Sequence, residues 1–145
     1  MASQSAAALR KPRADGVRNR ERVLEAAKAV FSAGGSDASL EAVAKRAGVG
    51  IGTLYRHFPT RDDLIARVLE EGTQSIVERG RARIDAPDPA TQLAAWITEL
   101  VDYVTTYRGL TAALANSYVT ERNTQLCAGC EAISATGAAL LARAQ

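Results

Sequence analysis

The chain's single histidine, His57, lies in the run Ile51-Gly52-Thr53-Leu54-Tyr55-Arg56-His57-Phe58, beside a hydroxyl, a phenol and a guanidinium. A histidine that binds metal or moves protons needs partners, and no Asp, Cys or second His stands at a ligand spacing from it. Cys127-Ala128-Gly129-Cys130 places two sulfurs toward one side of a helix. Two ligands do not close a zinc site, which leaves a redox-responsive pair or two small buried hydrophobes as its readings. With no nucleophile–base pair and no carboxylate constellation, the sequence implies no enzyme, no metal and no cofactor. Thr53, Tyr55, Arg56 and His57 can instead form hydrogen bonds to base edges and phosphates, arginine being the strongest side-chain reader of guanine.

Those residues need a scaffold, and the flanking residues supply one. Ser39 is a helix N-cap, because its hydroxyl can accept from an orphan amide. Leu40, Val43, Ala44 and Ala47 follow at helical spacing. Gly48 stands where that helix must end in a left-handed residue. A second short helix starts near Ile51 and turns Leu54 and Phe58 inward. Pro59 ends it, and Thr60-Arg61-Asp62-Asp63 offers a capping box for a third helix. Two helices joined by a glycine turn are the helix-turn-helix arrangement, whose second helix enters the major groove.

Phe31 and Gly35, Val43-Ala44, Ala47-Gly48-Val49, Thr53-Leu54-Tyr55, His57-Phe58, and Arg61 with Leu64 together match a dense pattern. On these residues the segment from about 17 to 70 resembles the N-terminal DNA-binding domain of the TetR family of transcriptional regulators. The resemblance implies that Tyr55, His57 and Arg61 contact phosphates. Ile51, Thr53 and Arg56 are the recognition-helix side chains able to reach bases, and Ser39, Arg18 and Arg20 complete the expected DNA-binding set. Packing against the first helix is the alternative for Tyr55, and a solvated surface with partial pairing to Glu21 and Glu25 is the alternative for Arg18, Arg20 and Arg22.

Charge follows the same division. Residues 1 to 60 hold ten Lys/Arg against five Asp/Glu, and residues 61 to 145 hold eight against eleven, although the net charge is only +2. A basic half that releases phosphate counterions is what a nucleic-acid footprint requires. Residues 1–15 are expected to be a disordered basic arm, broken by Pro12, that can lie in a minor groove. The first helix is expected over Val17 to Ala33. No apolar run is long enough to span a membrane, and the N-terminus lacks a signal peptide's apolar core. A cytoplasmic protein without membrane contact is therefore expected.

The whole is read as all-α, with a three-helix DNA-binding head at 16–70 and a helical ligand-binding and dimerisation domain at 71–145. A long fourth helix is expected from Arg61 to about Ile84. Asp88 and Pro89 then cap a helix that runs to Tyr107, with Leu93, Trp96, Ile97, Leu100, Val101 and Val104 as one apolar stripe. A short helix from Leu110 to about Tyr118 and a last one from Glu121 follow; periodicity alone also leaves a repeat-type helical stack open. By resemblance this half builds a small-molecule effector pocket. Trp96, Leu100, Tyr103, Tyr107, Asn116 and Tyr118 are candidate lining, with plain core packing as the alternative for each.

Taken together, the resemblance implies a ligand-responsive repressor that binds a palindromic operator in double-stranded DNA as a homodimer. A helical protein–protein interaction protein of the same fold that no longer reads DNA is the alternative. The last helix is still periodic and uncapped at Gln145, and family members carry one or two further helices that form the dimer interface. The C-terminal end of the fold is therefore expected beyond these residues.

Overall fold

The computed structural model describes residues 11–115 and 120–145, with side chains described for 15–114 and 128–145. Every regular element among the described residues is helical: α1 Lys11–Gly34, a single 3-10 turn Gly35–Asp37, α2 Leu40–Ala47, α3 Ile51–His57, α4 Arg61–Arg83, α5 Pro89–Ala115 and α6 Thr120–Ala144. The chain divides into two compact units that meet within α4, between Leu64 and Ile65.

In the first unit, α1 is helical from Lys11, so the expected disorder of residues 1–15 is corrected for its last part. Pro12 falls in the first turn, where a missing N–H removes no intrahelical bond. Residues 1–10 lie outside the described residues. Val23, Leu24, Ala27 and Phe31 of α1 are buried together with Leu40, Val43, Ala44 and Ala47 of α2 and with Leu54 and Phe58 at α3. Each of these sets recurs at helical spacing, which is why three amphipathic helices close on one core.

The second unit is built from the rest of α4 with α5 and α6. Trp96 of α5 donates its indole N–H to the Ile76 carbonyl of α4 at 2.9 Å, and Tyr103 donates its hydroxyl to the Leu69 carbonyl at 2.9 Å. Rising numbers on α5 meet falling numbers on α4, so the two run antiparallel. Both aromatics lie on glycines of α4. A Cβ at Gly80 would stand 2.6 Å from the Trp96 indole nitrogen, and one at Gly72 would stand 2.4 Å from the Tyr103 ring. From α6, Gly137 approaches the opposite side of the Trp96 ring, and Ile76, Trp96 and Leu140 form the centre of the core.

Two expectations for α5 are corrected. It runs unbroken through Arg108-Gly109 to Ala115. A helix-interior glycine costs about 1 kcal/mol against alanine, whereas burying Leu110 and Leu114, each 1% exposed, stabilises by roughly 1.5–3 kcal/mol apiece. The apolar stripe also divides. Trp96, Leu93 and Leu100 pack on the core, while Ile97, Val101 and Val104 are 45%, 55% and 52% exposed. Residues 93, 96, 100, 103 and 110 share one face, and 97, 101 and 104 lie about 100° around the helix from it.

Candidate nucleic-acid interface

The helix-turn-helix is closed by local chemistry. Ser39 accepts from the Ala42 amide at 3.1 Å, an N-cap bond that stabilises by about 1 kcal/mol. Gly48 has φ 66° and ψ 36°. Its amide reaches the Lys45 carbonyl at 3.2 Å, and the Val49 amide reaches Ala44 at 3.1 Å. This paired closure satisfies the last carbonyls of α2 and aims the chain into α3. Behind α3, Asp63 Oδ2 accepts from the Thr60 amide at 3.0 Å and Thr60 Oγ1 accepts from the Asp63 amide at 3.1 Å, a reciprocal capping box that starts α4.

Between these fixed ends, α3 buries Leu54 and exposes Ile51, Gly52, Tyr55 and Arg56, with Thr53 and His57 half-buried. Tyr55 is 44% exposed, so packing against α1 does not account for it. His57 offers nothing through Nε2, which is buried without a hydrogen-bond partner.

The arginines around α3 divide into three kinds. Arg61 sends its guanidinium to the Ser36 carbonyl and, at 2.7 Å, to the Ala38 carbonyl, and lies over the Phe31 ring at 5.5 Å. It joins the loop before α2 to the start of α4. Arg20 lies over Phe58 at 5.2 Å. The chain has only two phenylalanines, and each buried ring thus carries an arginine on its face, a contact that is stronger for being partly desolvated. Arg18 pairs with Asp15 at 2.8 Å in an exposed ion pair, worth at most about 1 kcal/mol and readily exchanged for a phosphate. Arg18, Arg22 and Arg46 line one shallow trough between α1 and α2, with Glu21 and Glu25 among them. Arg46 lies outside the sequence motif and becomes a candidate only once α2 is laid beside α1.

In the second unit, the expected effector residues separate. Trp96 is 3% exposed with its N–H satisfied, and Leu100 packs on the same core, so for these two core packing is the reading the structure supports. Asn116 and Tyr118 lie outside the described residues. Tyr103 and Tyr107 line a cleft of about 420 Å³ where α4, α5 and α6 converge, together with Leu69, Val104, Arg108, Thr111 and Ile133. Cys130, expected to be a small buried hydrophobe, is exposed and lines the same cleft. The Cys127 side chain lies outside the described residues. Burial, ahead of the opposing hydrogen bond with Thr73, pushes the Tyr103 phenol above its ordinary value.

Residues 23–68 match the family described as "Bacterial regulatory proteins, tetR family", and residues 88–145 match "Transcriptional regulator SbtR-like, C-terminal domain". Among curated proteins, the HTH-type transcriptional repressor KstR of Rhodococcus jostii is 43% identical over 63 residues, 43% of this chain and 30% of that protein. KstR of Mycobacterium tuberculosis is 33% identical over 102 residues, 69% of this chain and 46% of that protein. The chain therefore spans less than half the length of these curated relatives. The crystal structure of a TetR transcription regulatory protein from Mycobacterium vanbaalenii superposes with a TM-score of 0.74 at 38% identity, covering 92% of this chain and 79% of the other. A TetR transcriptional regulator from Streptomyces coelicolor gives 0.69 at 34%, covering 86% and 71%. With both parts matched and most of a solved relative covered, the chain belongs to the TetR family of bacterial regulatory proteins.

Proposed function

We propose that this protein is a ligand-responsive transcriptional repressor that reads a palindromic operator as a homodimer. The observation that carries the DNA reading is α3 itself: a helix fixed at both ends that turns Ile51, Tyr55 and Arg56 to solvent. In this reading Arg56 and Thr53 contact base edges, and Tyr55, Arg18 and the basic N-terminal residues contact phosphates. Ser39 keeps its hydroxyl proton for a phosphate oxygen while its oxygen caps α2. Arg61 and Arg20 act by holding α3 in place, because their guanidinium groups are engaged on carbonyls and rings within the head. The relatives named as transcriptional repressors favour repression over activation.

Dimerisation matches two recognition helices to successive major grooves about 34 Å apart, and the uncovered Ile97 and Val101 are apolar surface that assembly would remove from water. Binding of a small molecule in the second unit alters operator affinity through its preference for one state of the repressor.

The test is binding of the chain to its own upstream intergenic DNA at two salt concentrations, with sedimentation to count subunits. Specific, salt-sensitive binding as a dimer is expected. Absence of binding at low salt would overturn the DNA reading and leave a helical interaction protein of the same fold.

A further inference from the structure

We propose that the cleft between α4, α5 and α6 takes an amphipathic carboxylate, its apolar tail among Leu69, Val104 and Ile133 and its anionic head on Arg108. The assignment deepens the effector reading above and rests on it.

The chemistry follows from what each polar group at the cleft is already doing. Tyr103 gives its hydroxyl proton to the Leu69 carbonyl at 2.9 Å, and Thr73 lies 3.1 Å from the same oxygen. Thr111 gives its proton to the Tyr107 carbonyl at 3.3 Å. The hydroxyls of Tyr103, Thr73 and Thr111 therefore have internal partners and do not call for a polar ligand core. Among the described lining residues Arg108 alone is charged, and it is exposed with no carboxylate partner among the described residues. By contrast, the arginines about two and three turns beyond the cleft on α4, Arg79 and Arg83, share Glu99. A cleft of about 420 Å³ is within the range of small-molecule sites, which combine apolar walls with a few placed polar groups. One unpaired cation at the mouth of an apolar cleft selects an anion over a neutral or cationic head of equal tail length, and a carboxylate meets a guanidinium with two parallel hydrogen bonds.

The neighbouring groove between α4 and α6 is less suited to such a ligand. It has a similar volume of about 360 Å³, but its carboxylate Glu70 is held by Arg67 at 2.7 Å and its Gln74 donates to Glu78 at 2.9 Å. The charges among its described lining residues, Glu70 and Arg81, are of opposite sign, so that lining is neutral where the cleft's is net positive.

Binding of decanoate, decanol and decyltrimethylammonium to the full chain, each below its aggregation threshold, tests the assignment by calorimetry. Decanoate is expected to bind about fivefold or more tighter than decanol, and the cation weakest. Arg108→Ala should erase the preference, and Arg108→Glu should reverse it toward the cation. Alkylation of Cys130 in a Cys127→Ser background gives an independent location, since bound decanoate should protect that thiol. Equal binding of the three probes, a preference that survives Arg108→Ala, or no protection of Cys130 would each overturn the proposal. If the preference and the protection hold while affinity for the operator is unchanged by decanoate, the site assignment is supported and the effector reading alone fails.

Discussion

Trp96 lies on Gly80: its indole nitrogen occupies the space of a missing side chain, 2.6 Å from where a Cβ would stand, and donates to the Ile76 carbonyl at 2.9 Å. Tyr103, seven residues on, repeats the arrangement on Gly72 and Leu69. The α4–α5 pairing therefore rests on two aromatic side chains that lie on a helix backbone and accept no substitute at the glycine.

Gly80→Ala should unseat the indole. The added methyl also meets Thr136 Cγ2 at 2.4 Å, and turning that methyl away would break the Thr136 hydroxyl's bond to the Ala132 carbonyl. Overpacking costs about 1–3 kcal/mol and the strained indole bond up to about 1 more. A helix-interior alanine returns about 1 kcal/mol. A net loss of up to about 3 kcal/mol in urea unfolding is expected, with a red shift in the folded-state emission of Trp96, the only tryptophan. Unchanged emission and an unchanged midpoint would show that the seat is not a constraint.

The head was legible in sequence because its determinants are local. Ser39, Gly48, Thr60 and Asp63 each act on backbone within a few residues, and each is found in the conformation its type demands. What was not legible depends on partners distant in the chain. Nothing near Arg61 announces that its guanidinium goes to Ser36 and Ala38, 25 and 23 residues away. Gly109 is a helix stop by local rules, and only the burial of Leu110 and Leu114 overrules it. Ile97, Val101 and Val104 are as apolar as Trp96 and Leu100, and periodicity does not say which of two adjoining faces the core will take.

Arg61 offers a direct comparison between a positioning group and a phosphate contact. Removing a phosphate contact lowers the slope of log K against log salt by about 1. Removing a positioning residue weakens binding with little change in slope and also destabilises the fold. Arg61→Ala is expected to lower unfolding stability by about 2 kcal/mol or more, since two carbonyl bonds of a charged donor are lost, and to leave the salt slope unchanged. Arg61→Lys should not rescue, because a point charge cannot span both carbonyls. A reduced slope with unaltered stability would return Arg61 to the phosphate set.

Arg56 is the complementary case. It is exposed on the outer face of α3, so Arg56→Ala should leave unfolding midpoints within about 0.5 kcal/mol. Operator affinity should fall by about 1–3 kcal/mol, with relaxed preference at one base pair. Competition binding against operators changed one position at a time is the measurement. An equal loss on every sequence, with a smaller salt slope, would make Arg56 a phosphate contact.

Tyr103 adds a dependence on alkaline pH. Burial raises its phenol above the ordinary value of 10.0, so the folded state keeps its proton where the unfolded state has begun to lose it. Below that value both states hold the proton, and the fold carries no cost of ionising a buried phenol. As pH rises past 10.0 the unfolded state ionises first, and stability falls until the folded phenol ionises as well. Tyr103→Phe should cost about 1 kcal/mol at neutral pH through the lost bond to Leu69. It should also flatten the decline of stability above pH 10, an effect that a mere packing defect would not produce. Urea unfolding of both proteins between neutral pH and the alkaline limit of reversibility measures it, and parallel curves for the two would mean that Tyr103 titrates alike in the folded and unfolded chain.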